Sequence, residues 1–157
     1  MTEGRNGTVL VYGATGAQSG PVARRLLEAG HGVRVLTRDA TKATALRDRG
    51  ADVVEGDMSD PAAMRAATEG VDKVFLLVPF FVRDPADTVR YGRNAIEAAR
   101  AAGVRLVVWN PSGEIVPVQT GNPSLDARSE LLGLLQASGL PHIVLQPTAY
   151  MENFLGP

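Results

Sequence analysis

The chain has 157 residues, 45% hydrophobic and 21% charged, with a formal net charge of −1. That is the length of one domain with a real core, and the near-neutral charge gives no electrostatic case for nucleic acid or an anionic membrane as partner. Cysteine is absent and only two histidines occur, His31 and His142. This excludes disulfides, thiolate nucleophiles and thiolate metal sites, and leaves no basis for a metal centre. Residues 1–7 are polar and glycine-rich, and no apolar run approaches the roughly 20 residues of a bilayer span, so the expected location is the cytoplasm.

In chain order, the first apolar run, 9–12, breaks abruptly into Gly13-Ala14-Thr15-Gly16, and a stretch with helical spacing, 21–29, follows. Strand, tight turn and helix in that order open a dinucleotide-binding βαβ unit. The turn lets a pyrophosphate approach the backbone, and the helix N-terminus offers it free N–H groups and partial positive charge. Gly13 suits the sharp exit from the strand, and Gly16 keeps a Cβ out of the way of phosphate. The third glycine of such a turn is replaced by Ser19, with Gly20 beside it.

Further short apolar runs occupy 33–37, 52–55, 74–78, 106–109 and 143–146. They are rich in β-branched residues and mostly continuous, the pattern of parallel strands buried on both faces. Gly30, Gly50, Gly70, Gly103 and Gly139 each fall between a helical pattern and the next run, where a glycine ends a helix. Asp60-Pro61 and Asp84-Pro85 read as helix starts, a capping carboxylate before a first-turn proline. In the longest helical segment Val89, Gly92, Ile96, Ala99 and Gly103 trace one face. Six strands alternating with five helices predict an α/β, Rossmann-like doubly wound parallel sheet in the order 3-2-1-4-5-6, helices on both faces, with the ligand crevice beside strands one and four.

Two loops at the carboxyl edge are longer than the βα rhythm requires, 79–84 and 110–123. Phe80 and Phe81 in the first serve either as a pocket wall or as cover for the sheet edge. Trp109, ending strand five, is expected near the crevice. At the end of strand two stands Arg38, with Lys42 nearby, where an acidic residue would bind the ribose hydroxyls of NAD. A guanidinium there matches a phosphate by bidentate hydrogen bonding, so the cofactor expected is NADP(H) in preference to NAD(H). Asp39 reads as the cap of the next helix.

Gly13-Ala-Thr-Gly16, Leu36-Thr-Arg38, Glu55-Gly-Asp57 and Phe75-Leu-Leu-Val-Pro79, together with Ala98-Ala-Arg-Ala-Ala-Gly103, Ser138-Gly-Leu-Pro-His142 and Gln146-Pro-Thr-Ala-Tyr-Met-Glu-Asn-Phe154, form a set that resembles the NmrA-like family of atypical short-chain dehydrogenase/reductases. The resemblance covers essentially the whole chain. It implies that Gly13, Thr15, Gly16, Ala17 and Gln18 line the pyrophosphate and that Arg38 and Lys42 face the adenosine 2′-phosphate. Asp57 and Met58 would lie near the adenine, and Val78, Pro79 and Phe80 past the nicotinamide side.

The chain departs from the family pattern at Ser19 and in its catalytic groups. The superfamily's Tyr-x-x-x-Lys pair is absent, the only lysines being Lys42 and Lys73. Arg128 stands where family members that keep one active-site lysine carry it, and arginine stays protonated at neutral pH and cannot act as a general acid. Asn110-Pro111-Ser112 replaces a common Ser-Ser. Arg128, Ser112 and Tyr150 remain as catalytic candidates. The resemblance further divides the chain into an NAD(P)-binding domain, 1–150, and the first residues, 151–157, of a substrate domain otherwise missing, so that a second copy or a partner chain would complete the cleft, docking on the apolar segment 150–155. The function expected is that of an NADP(H)-binding protein of reductase ancestry with a quinone-like or small carbonyl acceptor. The alternatives are a non-catalytic NADP(H) sensor and a repurposed biosynthetic enzyme using Tyr91, Asp126, Glu130 and Tyr150.

Overall fold

β-Branched runs adopt extended backbone because their χ1 freedom is restricted in helices and their side chains pack well on a pleated surface. In the computed structural model, which describes residues 7–80 and 82–154, these runs form β1 (Thr8–Tyr12), β2 (Gly32–Thr37), β3 (Asp52–Glu55), β4 (Lys73–Leu77), β5 (Leu106–Asn110) and β6 (His142–Val144). Between them lie α1 (Ser19–Glu28), a 3₁₀ turn (Ala40–Ala43) continuing into α2 (Thr44–Arg47), α3 (Pro61–Thr68), α4 (Pro85–Ala101) and α5 (Pro123–Ala137), with a last 3₁₀ turn at Met151–Phe154. All strand pairs are parallel and the order is β3-β2-β1-β4-β5-β6, as the alternation predicts. Gly30, Gly50, Gly70, Gly103 and Gly139 all have positive φ. The Asp60 and Asp84 carboxylates accept from the backbone N–H groups of Ala62 and Ala86, so both predicted caps form.

The sheet separates two cores. Val9, Val11, Val33, Val35 and Phe75 pack with Ala23 of α1 and Leu46 of α2. Leu10, Tyr12, Leu76, Val107 and Trp109 face the other way, onto Met64 of α3, Ile96 of α4 and Leu131 and Leu135 of α5. The split follows from the strand order. Right-handed crossovers put helices on one face while strands are added outward from β1 to β3, and on the opposite face once β4 starts the other half. The point of reversal lies between β1 and β4, whose carboxyl ends diverge into a crevice.

Two expectations need correction. The last strand is shorter than 143–146 and its Ile143 is half exposed. Ile143 pairs with Val108 on the face covered by α1 and α2, and those helices pack over the β1–β3 half, so the edge strand is left open on that side. Trp109 is sealed in the opposite core, 1% exposed, because in-out alternation along β5 sends it toward α4 and α5. It therefore reports packing of that core and not occupancy of the crevice. A third proline-flanked cap, Asn122 before Pro123, begins α5: its Oδ1 accepts from Ser124 and Leu125 N–H.

Gly92 lets α4 approach α5, since a Cβ there would sit within overlap distance of the buried Leu131 methyls. Gly92→Ala gains about 1 kcal/mol of helix propensity, but overpacking costs about 1–3 kcal/mol where the neighbour cannot move. Leu131 is 2% exposed and enclosed by the core, so the clash wins. The expected outcome is a lower urea midpoint at unchanged slope; an unchanged or higher midpoint would show that the helices part freely.

Candidate active site

The crevice begins with the turn after β1. Gly13 has a φ of +68°, and Gly16 N–H donates to the Gly13 carbonyl at 2.9 Å. A Cβ at Gly16 would come to 3.3 Å of that carbonyl, and one at Gly20 to 3.1 Å of the Ala14 carbonyl. Gly20, rather than Ser19, thus makes the close helix–strand contact that the third glycine of such turns usually provides. Ser19 is fully buried, and its Oγ has no hydrogen-bond partner among the described residues. Gln18 precedes α1 and supplies no side-chain cap, whereas α3, α4 and α5 are each capped by Asp or Asn. Of its first amides, Gly20 N–H donates to the Gly16 carbonyl at 3.0 Å and Pro21 has no N–H to offer, so among the described residues it is Ser19 N–H that is left for another partner.

A cavity of about 390 Å³ opens at the carboxyl ends of β1, β2 and β3. Its lining brings Tyr12, Gly13 and Thr15 together with Arg38, Lys42, Asp57, Met58, Pro79 and Tyr91. The Arg38 side chain is 84% exposed and its guanidinium lies 3.9 Å from the Asp57 carboxylate, a loose pairing. Asp57 Oδ1 accepts from Ser59 N–H at 2.7 Å, and hydrogen bonding from Ser59, with the charges of Arg38 and Arg90 adding, holds its carboxyl below the ordinary range. Asp39 caps the 3₁₀ turn as expected, accepting from the Thr41 N–H and hydroxyl, which lowers its pKa. Both nearby carboxylates are therefore engaged with their own loops. The Tyr12 phenol is pushed up to about 12 by burial, against a smaller pull from Thr68, which lies outside hydrogen-bonding geometry.

Two α4 side chains absent from the sequence-based site position its walls. Thr88 Oγ1 donates to the Pro79 carbonyl at 2.8 Å, and Asn94 Nδ2 to the Met58 carbonyl at 2.8 Å. Both are buried. The sequence held no signal for either, since at 3.6 residues per turn Asn94 lies roughly 160° around the helix from Ile96 and off the apolar stripe.

Beside the glycine turn, Gln18 Oε1 accepts from Ser112 Oγ at 2.9 Å, Tyr150 OH at 3.0 Å and, more weakly, Asn110 Nδ2 at 3.4 Å. Asn110 Nδ2 also donates to Tyr150 OH at 3.0 Å, and Asn110 Oδ1 accepts from Ser112 N–H at 2.9 Å. These bonds hold Ser112 in a left-handed conformation with φ of +58°, one that costs a non-glycine residue roughly 1–2 kcal/mol. Arg128 lies apart from this cluster. Its Nε donates to the Pro111 carbonyl at 2.9 Å, its guanidinium sits 4.7 Å from the centre of the Phe80 ring, and burial lowers its pKa.

Of the residues read from the sequence, Gly13, Thr15, Arg38, Lys42, Asp57, Met58 and Pro79 meet around the cavity. Gly16 and Ala17 are exposed on the turn, and Gln18 belongs to the polar cluster. The Val78 and Phe80 side chains are core, which favours the covering role for Phe80; Phe81 lies outside the described residues. Among the alternative enzymatic candidates, Tyr91 lines the cavity, while Asp126 accepts from Thr120 and Gly121 N–H groups and Glu130 pairs with Arg93 at 3.8 Å. Those two carboxylates are structural. Met151 and Phe154 are 77% and 74% exposed, and 155–157 lie outside the described residues. Among the described residues no helix is long and apolar enough to cross a membrane, and no cluster of His, Cys, Asp or Glu could hold a metal ion.

Fold and crevice define a Rossmann-type domain with a glycine-rich β1–α1 turn. A family model described as the NmrA-like family matches residues 5–157, and the chain belongs to that family. It is 35% identical over 150 residues to the NAD(P)H azoreductase of Xenophilus azovorans, covering 94% of this chain and 50% of the relative. To quinone oxidoreductase 2 of Escherichia coli it is 30% identical over 150 residues, covering 94% and 50%. A crystal structure of the NADPH-dependent quinone oxidoreductase from Escherichia coli complexed with NADPH matches with a TM-score of 0.78 at 28% identity, covering 94% of this chain and 51% of that one. The triphenylmethane reductase of Citrobacter sp. complexed with NADP(H) matches with a TM-score of 0.81 at 23% identity, covering 95% and 52%, a likeness of fold. The chain spans about half the length of the curated relatives it matches.

Removing the Gln18 acceptor leaves the Ser112 hydroxyl short of a partner, while the Tyr150 hydroxyl turns to its second acceptor, Asn110 Oδ1, at 3.2 Å. Gln18→Ala is expected to lower stability by about 1–3 kcal/mol and Tyr150→Phe by about 1 kcal/mol or less, because Ser112 still bonds Gln18 in the latter. Urea unfolding of both variants checks the order; equal losses would mean that Gln18 is not the centre of the cluster.

Proposed function

We propose that the cavity holds NADP(H) and that the chain is the cofactor-binding part of a reductase. The observation that carries this reading is that one cavity is lined both by Gly13 and Thr15 of the glycine turn and by the cations Arg38 and Lys42. The residues present fit a dinucleotide on two further counts. A Cβ at Gly16 would crowd the turn, and the N-terminal amides of α1 lack a side-chain cap, the arrangement that receives phosphate. In this reading Gly13, Thr15, Gly16, Ala17 and Gln18 border the pyrophosphate, Asp57 and Met58 the adenine, and Pro79 the route toward the nicotinamide. Arg38 and Lys42 take the 2′-phosphate. Arg38 is free to do so, being exposed and only loosely paired, whereas the carboxylates that could hold ribose hydroxyls in NAD(H) are engaged by Thr41 and Ser59.

The chemistry such a cofactor supplies is a hydride to a polarised acceptor, for which orientation is the main requirement. The names of the relatives, an azoreductase and a quinone oxidoreductase, support an acceptor of conjugated, quinone-like type for this chain. Its own residues contribute binding walls and not an acid. The Ser112 and Tyr150 hydroxyls both donate into Gln18, and Arg128 stays protonated at neutral pH. That observation favours, as a second reading, a sensor that binds NADP(H) without turning it over.

Titration with NADPH and NADH, followed by the fluorescence of the reduced nicotinamide, tests the proposal. NADPH is expected to bind more tightly, and Arg38→Ala to weaken NADPH by roughly tenfold or more, the size of a lost charge-assisted hydrogen bond, with NADH little changed. Tighter binding of NADH would overturn the NADP(H) assignment. Oxidation of NADPH with a panel of quinones then separates reductase from sensor.

A further inference from the structure

Arg128 differs from every other described arginine. Most are exposed, and among the described residues only Arg34 and Arg128 are not. Arg34 pairs with Asp52 at 2.6 Å and also donates to the carbonyls of Ala67 and Glu69. Arg128 has one carbonyl, that of Pro111, and among the described residues no carboxylate within ion-pairing distance. A guanidinium partly withdrawn from water loses hydration that a counter-charge ordinarily replaces. Here no counter-charge is supplied.

Its geometry is nonetheless fixed. Nε is held by the Pro111 carbonyl, and Cζ stands 4.7 Å from the centre of the Phe80 ring. A Cβ on Gly113 would lie 3.5 Å from Cζ, 3.5 Å from Nη2 and 3.8 Å from Nη1. Those near-equal distances mean that the guanidinium turns its face toward the space that a Cβ on Gly113 would fill. Nη1 and Nη2 donate to no described residue, and neither is sealed from solvent. The result is an oriented fork of donors with its edge open, the shape that matches a planar or tetrahedral oxyanion. It sits where the chain leaves β4 and β5, on the far side of Pro79 from Arg38 and Lys42.

We infer that Arg128 is a specificity-determining residue that receives an anionic substituent (sulfonate, carboxylate or phosphate) of the acceptor, so that the substrates are charged aromatic or conjugated compounds rather than neutral ones. The inference rests on the reductase reading for the word acceptor; the anion site itself stands on the Arg128 geometry. Phe80 contributes to it by fixing the cation through its ring face, and Gly113 by leaving room for the plate.

The test compares two probes of nearly equal shape, naphthalene-2-sulfonate and the neutral naphthalene-2-sulfonamide, by calorimetry on the whole chain saturated with NADP⁺. Wild type is expected to bind the sulfonate at least tenfold more tightly. Arg128→Gln should reduce that preference to within about twofold while leaving sulfonamide binding unchanged, and Arg128→Lys, which keeps the charge but not the fork, should retain part of it. A wild type that binds both probes equally, or a folded Arg128→Gln that keeps the preference, would overturn the inference. Should the glutamine variant not fold, amide spectra of wild type decide: the sulfonate must shift Gly113 and the Arg128 Nε–H, and silence there overturns it. Sulfonate displaced by NADP⁺ would assign the fork to the cofactor and also overturn the inference. If NADP⁺ leaves no trace of binding while the Arg128-dependent preference persists, the reductase reading falls and the anion site stands.

Discussion

The backbone reversal at Gly13, with φ of +68° and its carbonyl accepting from Gly16 N–H at 2.9 Å, sets where every other group at the crevice can lie. A side chain at position 13 would have to adopt a left-handed conformation, and any longer turn would carry α1 away from the strand end. Because the turn is short, Gly20 comes within van der Waals contact of the Ala14 carbonyl and Gln18 reaches the end of β5. Gln18 then ties three segments together, the turn itself, residues 110–112 and Tyr150. One tight turn thereby couples the start of the fold to its last described segment.

The topology decides what else reaches that place. Strands added outward in both directions from β1 and β4 point their carboxyl ends to one edge, so the loops after all of them meet there. Helix capping then distinguishes the edge chemically. Asp60, Asp84 and Asn122 satisfy first amides of α3, α4 and α5, whereas α1 has no side-chain cap and its Gly20 N–H turns back to the Gly16 carbonyl. Basic side chains stand at both flanks, Arg38 and Lys42 beyond β2 and Arg128 beyond β5, while the carboxylates of Asp39 and Asp57 are drawn into their own loops. The edge therefore carries a positive excess that these two carboxylates do not cancel.

Most of the fold was legible because parallel strands buried on both faces write continuous β-branched runs, and because Gly30, Gly50, Gly70, Gly103 and Gly139 punctuate them. The cavity wall at Arg38 and Lys42 was legible from position, Arg38 directly following β2 and Lys42 lying in the 3₁₀ turn after it. Side-chain direction was not. Trp109 and Phe80 belong to the core because in-out alternation and helix cover, rather than nearness in sequence, decide which way a ring points. The roles of Thr88 and Asn94 depend on α4 lying across the loops after β3 and β4, a tertiary fact that the helical spacing does not announce. Ser112 took up a left-handed backbone that nothing local required; its support comes from Gln18, far away along the chain.

Arg128 is a cation that stays charged at neutral pH and is geometrically fixed by the Pro111 carbonyl and the Phe80 ring. The central claim is that the edge between Gly13 and Arg38 is a single elongated site for a phosphorylated adenosine. Amide spectra recorded during addition of adenosine 2′,5′-bisphosphate test it most directly. The account predicts shifts at Gly13, Thr15, Arg38 and Asp57 that saturate together; shifts scattered over the surface, or absent from these four residues, would contradict it.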